Sequence, residues 1–330
     1  MNLPQKRRLF LLILIFLFFG SVLGSILTGP VNTGFTDLIN FIFKNDSTYR
    51  SIYLQIRLPR IVLSFLVGAA LSLSGAILQG YFQNPMAGPF VVGVSSGASL
   101  GAVISLSLNL NLIFFGFSVQ TLFAFLFGLA IVYLVYSLSQ KTGTIRIEIL
   151  LLTGIAAGAL ASALTSFLIF WQTEAMHKAV FWLLGSFSLA DWEKIIGFLP
   201  YFLVCFLVSL YFAKEMNLLV LGDETAQSLG CPVNRIRKIF LLIATFLAAG
   251  SVSVSGIIGF VGLIVPHLIR ILIGPDHRFL FPFSAFLGGI FLVISDWLAR
   301  TILSPAELPI GVITALIGAP FFIYLLTKTK

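Results

Sequence analysis

The chain has 330 residues, of which 20 are Lys or Arg and 12 are Asp or Glu, a charged share of 10% against about 25% in an ordinary soluble domain. Apolar residues make up 58%, Phe alone fills 34 positions, and no charged residue occurs from Ile61 to Gln140. This excludes a soluble enzyme, and with it intrinsic disorder and nucleic-acid binding despite a formal net charge of +8; the composition is that of a polytopic membrane protein.

The chain opens with Lys6, Arg7 and Arg8 before an apolar run from Leu9 to Leu27. That run is longer than the roughly 7–15 residues of a signal-peptide core, so a retained first span is expected. Nine further segments approach the roughly 20 apolar residues needed to cross a bilayer: 61–80, 90–108, 112–138, 149–171, 195–213, 239–257, 258–273, 279–299 and 308–326. The eighth is short and carries Gly259, Gly262, Pro266 and His267. Ten spans put both termini on one side. With the termini inside, Lys6, Arg7, Arg8, Lys141, Arg146, Lys214, Arg235, Arg237, Lys238, Arg270, Arg278, Lys328 and Lys330 lie inside, whereas only Lys44, Arg50, Arg57, Arg60, Lys178, Lys194 and Arg300 lie outside. The bias of basic residues to the cytoplasmic side then sets the orientation. Residues 1–330 are read as a single all-α membrane domain.

Two stretches are alike, Gly68–Ile77 and Ala249–Ile258. Aligning Gly75 with Gly256 also aligns Pro85 with Pro266, and the two run in opposite directions across the membrane. An inverted repeat of this kind is a transporter feature, because exchanging two related arrangements gives alternating access. Recurrence of small residues where helices pack closely is the simpler alternative.

The loop over about 214–235 holds Gly222, Asp223, Glu224, Ala226, Leu229 and Gly230. Acidic residues after Gly222 suit a helix start, and Gly230 with Pro232 suits its end. Such a helix is too short to stand alone, which leaves a docking helix for a cytosolic subunit or a solvated loop. Arg57, Arg60 and Arg300 break the inside bias and lie beside span ends, where they fit either carboxylates of an external acidic protein or lipid headgroups. Asp296 lies four residues before Arg300 on one helix face, which favours an ion pair over a proton-carrying carboxylate. His267 reads as a structural histidine. Pro85, Met86 and Pro89 break the chain between spans two and three. The cysteines, Cys205 and Cys231, have no metal-ligand or disulfide spacing. No catalytic cluster and no G-x4-G-K-[ST] phosphate loop occurs in the sequence, so any ATP used is bound by another subunit.

Several segments together resemble the FecCD-type permeases of bacterial ABC importers, which carry iron–siderophore chelates, haem or vitamin B12. They are RLPR at 57–60, GAALSLSGAILQGYFQNPMAGPFVVGVSSGA at 68–98, LGDETAQSLG at 221–230, GFVGLIVPHLIR at 259–270, GPDHR at 274–278, DWLAR at 296–300 and ELPIGVITALIGAP at 307–320. The resemblance covers nearly the whole chain from about residue 50. It implies a type II importer fold of about ten transmembrane helices in the bacterial cytoplasmic membrane, a second permease subunit forming a homodimer, a cytosolic ABC ATPase dimer that holds ATP and Mg, and an extracytoplasmic solute-binding protein. No cofactor or metal is implied for this chain itself. Residues Gly222 to Gly230 match the coupling helix of the family, and Arg57, Arg60 and Arg300 match arginines that receive acidic residues of the binding protein. Spans five and ten would line the path, with Thr153, Gly154, Gly158 and Ser162 on one and Gly311, Thr314 and Gly318 on the other. Arg146 and Glu148 place a charge pair where the family often has small polar residues near the inner gate. The rival expectation is a secondary transporter driven by protons through Asp296 or Glu148.

Overall fold

The computed structural model describes residues 3–29, 37, 50–110, 112–114, 117–141 and 144–328. Thirteen α-helices run through them: α1 (Leu3–Leu27), α2 (Leu58–Tyr81), α3 (Val94–Ser107), α4 (Val119–Ser139), α5 (Ile147–Trp171), α6 (Thr173–Leu183), α7 (Trp192–Tyr211), α8 (Ala213–Leu219), α9 (Asp223–Ser228), α10 (Val233–Ser255), α11 (Val261–Ile273), α12 (His277–Thr301) and α13 (Ile310–Lys328). A π-helical turn, Ile52–Arg57, leads directly into α2. Two hairpins of two-residue strands, Ile113–Phe114 with Phe117–Ser118 and Gln140–Lys141 with Thr144–Ile145, flank α4. The Lys44 assignment to the outer side and the Lys330 assignment to the inner side fall outside the described residues.

Seven helices among the described residues are long and apolar enough to cross a membrane by length and composition: α1, α2 with its leading turn, α4, α5, α7, α10 and α12. Three shorter apolar helices stand where spans three, eight and ten were expected: α3, α11 and Ile310–Tyr324 of α13. The expected third and eighth spans are corrected most. At 1.5 Å per residue, the 14 residues of α3 and the 13 of α11 rise only about 20 Å, short of the roughly 30 Å hydrocarbon layer. The missing length is irregular backbone at 82–93 and 256–260. An 11-residue helix, α6, was not expected at all.

Helices α2, α10 and α12 form the centre, mostly sealed from the outside, whereas α1, α5 and α7 leave most of their spans exposed. The order long helix, break, short helix, two further helices occurs twice, as α2–α5 and as α10–α13. Helix α2 packs on α12, α10 and α11, while α10 packs on α2, α4 and α3, so each half lends its first helix to the other. The inverted repeat is therefore architectural, but the residue alignment proposed from sequence is not. Gly75 lies inside α2, whereas Gly256 follows α10 with a φ of +72°. Pro85 falls in a break and Pro266 within α11. The physical reason is that the two glycines do different jobs. Pro266 has no N–H to give the Gly262 carbonyl, and α2 covers that oxygen so closely that a Cβ on Gly75 would stand 1.7 Å from it. At Gly256 the glycine permits the left-handed turn that ends α10.

Candidate functional site

One end of the bundle gathers the three arginines. Arg57 and Arg60 sit at the start of α2, and Arg300 is one turn from Asp296 near the end of α12. All three are buried, at 3%, 5% and 3% exposure. Their guanidinium groups are committed inside the chain. Arg60 gives Nε to Asp296 Oδ1 at 2.8 Å and both Nη atoms to Glu307, at 3.0 and 2.9 Å. Arg300 places Nε 3.0 Å from Asp296 Oδ2 and donates Nη2 to Ser25 Oγ at 2.5 Å. Arg57 donates to the Ile26 carbonyl and lies 5.5 Å from the Tyr53 ring centre. The expected Asp296–Arg300 ion pair is present, and Arg60 makes it a triad. Such buried charges persist only when each is paired and hydrogen-bonded. Glu307, in the segment entering α13, was not singled out from sequence, although it opens the ELPIG stretch. Its link to Arg60 is a bidentate pair, and the adjacent Leu308 N–H bonds to the Ala299 carbonyl. A cavity of about 510 Å3 opens beside Glu307, lined also by Thr121, Lys178, Ser186, Ser188 and Lys194.

The opposite end carries α8 and α9. Gly222, at φ +102°, turns the chain into the six residues of α9, and Gly230, at φ +83°, turns it out again. Ala226 points into the bundle with no exposure, while Glu224, Thr225, Gln227 and Leu229 face outward, Leu229 at 58%. Asp223 is an internal brace: Arg237 Nη2 reaches its Oδ1 at 2.6 Å, and Nη1 of the same arginine donates to the Tyr81 carbonyl at 3.2 Å. Arg237 is 3% exposed and lies 5.1 Å over the Tyr81 ring. Helix α9 is thereby tied to the start of α10 and the end of α2.

A second brace holds α8. Asn217 donates Nδ2 to Asp276 Oδ1 at 2.8 Å, and its Oδ1 accepts the His277 backbone N–H at 2.9 Å. Gln83 Nε2 donates to the Leu219 carbonyl at 2.9 Å. The Arg278 guanidinium, with Nη2 at 2.7 Å, holds the Asp276 carboxyl well below the usual carboxylate range against the opposing effect of burial. Arg237, Asn217 and Asp276 were missed as a framework because the contacts join residues up to 156 positions apart, as from Arg237 to Tyr81.

The path residues fall into two groups. Gly154 and Gly158 lie under the start of α3: a Cβ on Gly154 would stand 2.8 Å from the Val91 carbonyl oxygen, and one on Gly158 3.4 Å from Ser96 Oγ. Gly311 meets the Leu184 carbonyl, Gly318 meets Phe260, and Thr314 is fully buried. The four glycines pack against other segments of the chain, and Thr314 is enclosed with them. Ser162 is exposed, with its hydroxyl 3.2 Å from Ser96 Oγ, and Thr153 is half-buried. The open sides of the two helices instead show Leu152, Ile155, Leu160, Leu316 and Ile317. Arg146 is exposed and Glu148 is in the first turn of α5. His267 is half-buried in α11, and no group of His, Cys, Asp or Glu among the described residues is suited to hold a metal ion.

A helical bundle with seven membrane-length apolar helices among the described residues, buried charges at one end and a short braced helix at the other is the architecture of a polytopic membrane protein. The model of the FecCD transport family matches residues 12–328, and the chain belongs to that family, whose members are permease subunits of ABC importers. The cobalamin import permease BtuC of Halobacterium salinarum is 47% identical over 86% of this chain and 75% of its own length. The hemin transport permease HmuU of Yersinia pestis is 39% identical over 100% and 98%. Other relatives are named for iron(3+)-hydroxamate, Fe(3+)-citrate and molybdate import. A metal-chelate type ABC transporter solved in an inward-facing conformation is 35% identical and superposes with a TM-score of 0.86 over 97% of this chain and 99% of its own.

Proposed function

We propose that this permease passes a metal chelate, a ferric siderophore foremost, across a bacterial cytoplasmic membrane, with both its termini in the cytoplasm. Two copies would stand side by side, with the exposed faces of α5 and α13 towards the two-fold axis. A cytosolic ATPase dimer holding ATP and Mg would engage the outward face of α9, through Glu224, Gln227 and Leu229. The observation that carries this reading is the brace of α9: a six-residue helix is unstable alone, yet here Arg237 fastens it to the ends of two central helices. A push on α9 is thereby delivered to α2 and α10.

At the outer end, Arg57, Arg60 and Arg300 are proposed to receive carboxylates of the solute-binding protein. Because Glu307 already occupies both Nη atoms of Arg60, docking works by exchange: an incoming carboxylate replaces Glu307 and frees the segment that enters α13. The proton-driven alternative is disfavoured because Asp296 lies between two arginines and its charge is already matched. ATP-driven uptake of a ferric chelate by the reconstituted complex tests the reading; uptake that continues without the ATPase and stops with a protonophore would contradict it.

A further inference from the structure

We propose that the cleft between α4 and α10 is a binding site for an anionic phospholipid of the inner leaflet. The cleft holds about 370 Å3 and is lined by Leu129, Tyr133, Tyr136, Leu242 and Phe246, with Lys238 at one end. Its walls are otherwise almost wholly apolar, and Tyr133 and Leu242 on its open side are 74% and 59% exposed. Three observations select a lipid rather than a protein segment.

The first is depth. From Lys238 to Phe246 along α10 is about 12 Å at 1.5 Å per residue, close to one leaflet of a hydrocarbon layer roughly 30 Å thick. The second is charge. Lys238 is exposed and has no ion-pair partner among the described residues, and Arg235, three residues before it, is exposed on the same helix face. The third is position. Lys238 and Arg235 begin α10 beside α9, at the end of the bundle that carries most of the basic residues. Basic groups at the mouth of a cleft between membrane helices attract anionic headgroups, while the acyl chain takes the apolar length beyond. The inference rests on the orientation proposed above, because the inner leaflet is named from it.

Arg237, which braces α9, lies between Arg235 and Lys238 on the first turns of α10 but is buried on a different face of the helix.

Native mass spectrometry of the purified full-length chain tests this with phosphatidylglycerol and phosphatidylcholine of identical acyl chains. The expected result is one tightly retained phosphatidylglycerol, bound about tenfold or more tightly than phosphatidylcholine, since two basic groups near a headgroup contribute at this scale. The surface double variant Arg235→Glu, Lys238→Glu should lose the preference while keeping its elution volume. Filling the cleft with Thr245→Trp should lower retention of both lipids. Equal binding of the two lipids, or a preference unchanged by the double charge reversal, would overturn the proposal. So would a lipid held only by monomers and expelled on dimerisation, which would make the cleft an interface between copies. Lipid retention is read on the permease alone, without ATPase or transport, so its failure is distinguishable from failure of the transport reading.

Discussion

Asn217 is a single side chain on which two elements depend. It accepts the His277 backbone N–H and donates to Asp276, so Asn217→Ala orphans groups at the start of α12. Leaving a buried donor unpaired costs about 1–3 kcal/mol, and a thermal melt of the purified chain should show the loss. Asp276 adds a pH signature. Its carboxyl is held well below the usual range, first by Arg278. A depressed acid contributes stability above its unfolded value of about 4 and loses it as pH falls through the folded value. The thermal midpoint of Asp276→Asn should therefore fall below wild type at neutral pH and converge on it in strong acid. Wild type and variant differing by a constant amount from pH 7 to pH 2 would contradict this. At the other end, Glu307 and Arg60 make a prediction of opposite sense. Glu307→Gln weakens the internal competitor, so affinity for an acidic binding protein should rise several-fold, while Arg60→Ala should abolish it. Surface plasmon resonance on nanodisc-held complex measures both. The sequence already pointed at these arginines and at the Asp296–Arg300 spacing. It did not point at Glu307, because a salt bridge across 247 residues leaves no local pattern.

Among elements, α9 and the α2–α11 crossing make the clearest predictions. Glycine at 222 and 230, with acidic residues between, marked the short helix correctly, because positive φ and helix-start chemistry are local. What sequence reasoning lacked was the inward role of Asp223. Asp223→Ala should uncouple ATPase activity from transport and raise amide exchange over 221–230, because Arg237 then holds only the Tyr81 end. Glu224→Ala should instead weaken ATPase binding without faster exchange. Equal exchange in the two variants would contradict the division of labour. For the crossing, a methyl at Gly75 has no space against the Gly262 carbonyl. Overpacking of this kind costs about 1–3 kcal/mol, so Gly75→Ala should lower the thermal midpoint markedly. Gly222→Ala meets no neighbour within 4 Å and should be felt through its φ of +102° instead.

For the whole molecule, hydropathy found every apolar helix but not its true length. Phe90, Val91 and Val92, and likewise Ile257 and Ile258, are apolar yet non-helical. A hydropathy window counts them as span because it cannot tell a buried turn from a helix. The path glycines were expected only from the resemblance, and their surroundings were not legible locally: Gly154, Gly158, Gly311 and Gly318 sit against Val91, Ser96, Leu184 and Phe260, which are distant in sequence. The inverted repeat was legible as architecture, since direction and order follow from counting spans, and illegible as register, since one glycine is needed for contact and the other for a turn. The 80-residue uncharged stretch has a physical counterpart: α2, its largest helix, is the most enclosed span among the described residues and has no charge to bring into the bundle beyond the arginines at its N-terminal end.

The most direct test is uptake into proteoliposomes containing this permease, its ATPase and, outside, its binding protein loaded with a radiolabelled ferric siderophore. The account predicts accumulation that requires internal ATP, is unchanged by a protonophore, and disappears in Asp223→Ala although the binding protein still docks. Accumulation without ATP that collapses with the protonophore would contradict it.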